Sequence, residues 1–88
     1  MTARNLKIGR GELDIVVRFG GEPAVVEVRS IRETGTLRPN PLEVFTDRKV
    51  TQVRTLARLL RPPVYRIDLV AVHFRKDGIE VRWLPRVG

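Results

Sequence analysis

ELDIVVRFGGEPAVVEVRSI, residues 12–31, is the stretch that decides the fold. Two runs rich in Val and Ile, 12–19 and 24–31, flank Gly20-Gly21-Glu22-Pro23. A Gly-Gly pair supplies the positive φ angles that a tight primed turn demands, so the stretch predicts a β-hairpin. With the turn centred on Gly20-Gly21, directly opposed residues have numbers summing to 41. Asp14 then faces Glu27, and Glu12 faces Arg29. Strand alternation gathers Glu12, Asp14, Glu27 and Arg29 on one face. Leu13, Ile15, Val17, Phe19, Val26 and Val28 fall on the other. A three-residue turn would shift the register by one and undo this pairing.

Beyond the hairpin, residues 32–46 (RETGTLRPNPLEVFT) hold Gly35, Pro39, Asn40 and Pro41 without periodicity and are expected to form a long surface loop. Residues 47–61 (DRKVTQVRTLARLLR) predict a helix capped by Thr46 or Asp47 and stopped by Pro62-Pro63. Val50, Val53, Ala57 and Leu60 form its apolar stripe, with Arg54, Arg58 and Arg61 on the other side. Residues 64–75 (VYRIDLVAVHFR) are apolar on both faces, as in a central strand. Lys76-Asp77-Gly78 turns the chain into a last strand, 79–84. A helix between strands is the usual crossover of a parallel pair, so the expected fold class is α/β with a mixed β-sheet in one domain, residues 1–88.

Composition narrows the function. At 42% apolar and 31% charged the 88-residue chain is globular, near the size where one core just suffices. It has no cysteine, which excludes a disulfide framework, a zinc–cysteine cluster and a thiol nucleophile. One histidine, His73, leaves little room for a Ser-His-Asp triad or a His-rich metal site. No apolar run nears the roughly 20 residues of a membrane span, and MTARNLKIGR lacks the apolar stretch of a secretory signal. A cytoplasmic protein is expected. Seventeen basic against ten acidic residues give +7, and only Lys7, Lys49 and Lys76 of the seventeen are lysines. Arginine binds phosphate through a planar fork, so the balance suits a nucleic-acid partner. A genome that writes Arg at every solvated cationic position would give the same composition.

Asp14 and Glu27, opposed on neighbouring strands, repel each other by a few tenths to about 1 kcal/mol. Two compensations are open. Magnesium or manganese takes carboxylate oxygens and keeps positions for water and phosphate; alternatively, Arg29 and nearby arginines neutralise the pair on a solvated face.

ARN, then GRGELDIVV, AVVEVRS, TDRKVTQVRTLARLL and YRIDLVAVHF, in that order from about Ala3 to Phe74, resemble the YraN-like family of uncharacterised proteins, placed in the PD-(D/E)XK nuclease superfamily and described as Holliday-junction-resolvase-like. The resemblance implies a restriction-endonuclease-like core and a metal-dependent DNA endonuclease, or a nuclease-derived DNA-binding protein, acting on branched DNA. It makes Asp14 the metal-binding aspartate and Glu27 the glutamate of the E-x-K triplet, with Val28 lending a backbone carbonyl and Glu12 a further or outer ligand. Mg²⁺ or Mn²⁺ is the implied cofactor. The triplet here is Glu27-Val28-Arg29, and arginine, always protonated, cannot replace lysine as a base. Lys49, in the first turn of the helix, is a candidate substitute, since members of the superfamily relocate that lysine to the helix; an ordinary surface lysine is the alternative. The competing function is a non-catalytic interaction or nucleic-acid-binding module on a degenerate nuclease fold.

By the resemblance a helix usually precedes the ARN stretch, whereas the sequence here starts at Met1-Thr2, so a single helix is expected. One helix covers one sheet face, so a homodimer paired through the uncovered sheet or through an edge strand is expected, a partner helix being the alternative. Lys7, Arg10, Arg32, Arg38 and Arg48 are the candidate phosphate contacts. His73 is read as a packing residue rather than a ligand, and Trp83 and Tyr65 as packing residues with stacking on bases the alternative. Asp68, in a central strand, needs a partner such as Arg66 or a helix arginine.

Overall fold

The computed structural model describes residues 2–32 and 45–88. Five strands form one sheet in the order of the chain: β1 (Ala3–Ile8), β2 (Gly11–Phe19), β3 (Glu22–Arg32), β4 (Arg66–Arg75) and β5 (Gly78–Leu84), with helix α1 (Asp47–Arg58) between β3 and β4. β3 and β4 run parallel and every other neighbouring pair is antiparallel, the mixed sheet that a helical crossover implies.

The hairpin turn has Gly20 at φ 57° and Gly21 at φ 93°, the two positive angles of a two-residue primed loop. Its register is the expected one from Phe19↔Glu22 to Ile15↔Val26. Thr46 caps α1 by accepting the Lys49 N–H at 3.4 Å. The helix ends at Arg58, three residues short of the expected end, and the Leu60 N–H closes a last turn on the Ala57 carbonyl. β1 was not foreseen. ARNLKI has only Leu6 and Ile8 as large apolar residues, too few for a strand pattern, and it becomes a strand by pairing with the free edge of β2. Of the expected loop, residues 33–44 lie outside the described residues, and Arg38 with them.

The core shows which sheet face the helix covers. α1 does not lie on the face of Ile15, Val17, Phe19, Val26 and Val28; it packs with Val53 and Ala57 against Leu13, Val16, Val25, Ile67 and Leu69. Gly11 marks the crossing point, since a Cβ there would stand 2.5 Å from a Leu56 methyl. Val16 and Leu13 both enter this core although they differ in parity, so strict alternation fails between them. The break is at Asp14. In the β1–β2 ladder the pairs run Arg4↔Ile15 and then Leu6↔Leu13, leaving out Asn5 and Asp14, and Asn5 has φ 51°. Asparagine tolerates this left-handed conformation better than most residues. In the β2–β3 ladder the pairing ends at Ile15↔Val26. Asp14 therefore sits where β2 loses both of its neighbours' regular bonds.

The face away from α1 is open. Phe19, Val28, Phe74, Ile79, Val81 and Trp83 are all at least 36% exposed there. At one end of it Asp68, fully buried, accepts from Arg66 Nε (3.0 Å) and Nη2 (3.1 Å), Trp83 Nε1 (2.9 Å) and the Arg86 N–H (3.0 Å). Burial works to raise its pKa, yet the bonds from Arg66, Arg86 and Trp83 hold it below the usual carboxylate range. The expected Asp68–Arg66 partnership is present. No helix among the described residues is long and apolar enough to cross a membrane.

Candidate metal and phosphate site

A strand that has lost its ladder still has backbone groups to satisfy. At the β2–β3 break the Asp14 side chain takes over, its Oδ2 accepting the Val28 N–H at 2.9 Å in place of a strand carbonyl. This bond fixes the carboxylate against β3 and directs it toward Glu27.

Glu27 stands in the middle of β3 on the same side as Val25, level with Leu69 of β4. It is 2% exposed. Its carboxyl stands beside that of Asp14, and its Oε2 is buried without a hydrogen-bond partner among the described residues. Burial and the neighbouring Asp14 carboxylate push its pKa up from 4.5 to about 8, against a smaller lowering by Arg29. At neutral pH Glu27 is thus mostly protonated, which relieves its repulsion by Asp14.

Arg29 supplies a cation beside Asp14. Its Nη1 lies 3.6 Å from Asp14 Oδ2 and donates to the Val28 carbonyl at 3.1 Å, while its guanidinium stands over the Phe45 ring at 6.0 Å. Asp14, Glu27, Val28 and Arg29 are therefore one cluster. Glu12 is not part of it. It lies opposite Lys7 in the β1–β2 ladder, exposed, and makes no ion pair among the described residues; the break at Asp14 undoes the alternation that placed it with Glu27. Lys49 is exposed at the start of α1 and pairs with neither carboxylate among the described residues.

Lys7, Arg10, Arg32 and Arg48 are all exposed. The β1–β2 turn that carries Arg10 and the end of β3 that carries Arg32 lie at one end of the sheet, the end toward which the parallel strands run. Arg32 stands 5.8 Å over the Phe74 ring. Arg75 and Lys76 close the same end, because Arg32 is level with Phe74. They were missed in the sequence, where only the β3–β4 register, unknown in advance, could have brought them there. His73 is buried with Nε2 unpartnered, as expected of a packing histidine.

Two carboxyls and one carbonyl form the donor set. Among the described residues no cluster of three or more His, Cys, Asp or Glu side chains exists. The set is all oxygen, as Mg²⁺ and Mn²⁺ require, and the unpartnered Glu27 oxygen is a buried acceptor without a donor. The residues present fit a divalent ion of that kind.

Comparison with known proteins adds the following. Uncharacterised protein family UPF0102 matches residues 1–72. A UPF0102 protein of Clavibacter michiganensis subsp. michiganensis is 34% identical over 85 residues, covering 89% of this chain and 70% of the relative. A UPF0102 protein of Thermotoga neapolitana is 36% identical over 88 residues, covering 92% of this chain and 78% of the relative. No solved structure matches the chain.

Proposed function

We propose that this chain, which belongs to the uncharacterised protein family UPF0102, is a divalent-metal-dependent DNA endonuclease of the cytoplasm with a restriction-endonuclease-like, PD-(D/E)XK-type core. Branched DNA is the proposed substrate. The observation that carries the reading is Glu27: a buried carboxyl pressed against a second one, with an oxygen left unpaired. A core glutamate with no role beyond folding is costly to bury, and such perturbed groups concentrate at functional sites.

Asp14, Glu27 and the Val28 carbonyl are the groups that would hold Mg²⁺ or Mn²⁺. A bound ion of this type acidifies a water and offsets charge on a phosphate. The chain supplies the rest. The Val28 N–H keeps Asp14 in place. Glu27 would have to give up its proton to hold a cation, since only the ionised carboxylate is a good ligand. Arg29 keeps its charge at every working pH and serves to hold a phosphate oxygen rather than to accept a proton. Lys7, Arg10, Arg32 and Arg48 would grip the flanking backbone without reading bases.

One observation favours a second reading, a nucleic-acid-binding or interaction module without catalysis. Arg29 already donates to the Val28 carbonyl and lies beside Asp14, so a guanidinium stands in for the cation. The two readings separate in one assay: duplex, single-stranded and four-way-junction DNA incubated with Mn²⁺, Mg²⁺ or EDTA. Cleavage with either ion, abolished by EDTA and by Asp14→Asn in a protein of native circular dichroism, supports the enzyme. Retention of the junction without cleavage under every condition overturns it in favour of the module.

A further inference from the structure

β5 is the last strand of the sheet, so the N–H and C=O groups along its outer side have no strand partner among the described residues. Exposed edges of this sort pair readily with another strand, and proteins blunt them with lysines, prolines, bulges or irregular backbone. The opposite edge, β1, is blunted in this way: Asn5 breaks it with φ 51°, and Arg4, Asn5 and Lys7 are exposed along it. β5 has no break of this kind, and its two charges, Glu80 and Arg82, are of opposite sign. It is seven residues of regular ladder, GIEVRWL, free of Pro and Lys. Ile79, Val81 and Trp83 on its open face are 64%, 62% and 54% exposed.

Its sequence is self-complementary. About a two-fold axis through Val81, antiparallel pairing sets Glu80 against Arg82 of the second copy and Arg82 against its Glu80. On the other face Ile79 meets Trp83 and Val81 meets Val81. Charge pairs and aromatic–aliphatic pairs opposite one another both favour a ladder. Moving the axis to Glu80 or to Arg82 sets like charges face to face, and a one-residue shift sets charged residues against apolar ones. One register alone satisfies both faces.

We propose that two copies of this chain pair through β5 in that register, joining their sheets into one of ten strands. The interface is isologous, so each favourable pair occurs twice. The open apolar faces of the two copies then lie side by side, with Phe74, Ile79, Val81 and Trp83 continuous across the axis. The inference is independent of the metal site.

Charge exchange tests it. In a homodimer of Glu80→Arg, each introduced arginine faces Arg82 of the other copy. In a homodimer of Arg82→Glu, each introduced glutamate faces Glu80 of the other copy. Like charges are thus opposed twice in either case. Light scattering of wild type across micromolar concentrations is expected to rise toward twice the chain mass, with a concentration-dependent shift in the emission of Trp83, the only tryptophan. Each single variant is expected to stay at monomer mass, the double variant Glu80→Arg/Arg82→Glu to recover the dimer, and an equimolar mixture of the two single variants to form a mixed dimer. Glu80 pairs with Arg75 within the chain at 2.8 Å, whereas Arg82 makes no ion pair among the described residues, so Arg82→Glu serves as the variant that leaves the monomer's own contacts intact. A wild-type monomer throughout, or a dimer that both single variants retain, overturns the proposal.

Discussion

Glu27 keeps its proton where an exposed glutamate would have lost it, and this sets the pH response of the fold. Its folded pKa of about 8 stands above the ordinary 4.5, so between those values the native state binds the extra proton. Stability from this group is full below pH 4.5 and is lost as pH rises through 8. Each tenfold difference in proton affinity is worth about 1.4 kcal/mol, so ionising Glu27 costs the fold several kcal/mol. Glu27→Gln removes the ionisation. Thermal melts should show it on the order of 2 kcal/mol more stable than wild type at pH 8 and close to it at pH 5; equal stability at pH 8 would contradict the burial of an ionisable pair. Asp68 acts in the other direction. Its pKa is held low, so its contribution is present above pH 3.8 and is lost as pH falls through the lowered value. Asp68→Ala removes the acceptor of Trp83 Nε1 and of Arg66 Nε and Nη2, while Arg66 Nη1 keeps Glu22 at 2.9 Å, and should cost about 1–3 kcal/mol in denaturant unfolding.

At the scale of elements, the hairpin was legible because its signals are local. Gly20-Gly21 sets the turn, the turn sets the register, and the register brings Asp14 to Glu27. The helix was legible from its Thr46 cap and its 3.6-residue stripe. Which sheet face the stripe covers was not. Both faces of the hairpin are rich in Val and Ile, and only the kink at Asp14, which turns Leu13 and Val16 to the same side, decides between them. That kink depends on the pairing of β1 with β2, and β1 has no strand pattern of its own. Glu12 was misplaced for the same reason. The kink is also testable. If the Asp14 carboxylate substitutes for a ladder acceptor, Asp14→Asn retains an oxygen for the Val28 N–H while Asp14→Leu removes it, a difference of about 0.5–1.5 kcal/mol in stability. Equal losses in the two variants would mean that the bond plays no part in holding β2 against β3.

Over the whole molecule, charge and carboxylates must work together. With +7 net charge and Lys7, Arg10, Arg32 and Arg48 exposed, affinity for DNA should fall with salt at a log–log slope of about −3 to −4 if each neutralises one phosphate, and Arg10→Ala should reduce that slope by about 1. Sequence preference should be slight. A salt-independent affinity would exclude phosphate as the ligand. The central claim, that Asp14 and Glu27 are kept together to take a divalent cation, is reached most directly by titrating Mn²⁺ into the protein at pH 7 in two buffers of different ionisation enthalpy. Glu27 must release its proton to bind, so the expected result is a binding isotherm in wild type with about one proton released per ion, absent in Asp14→Asn. No binding, or binding that releases no proton and survives Asp14→Asn, would contradict it.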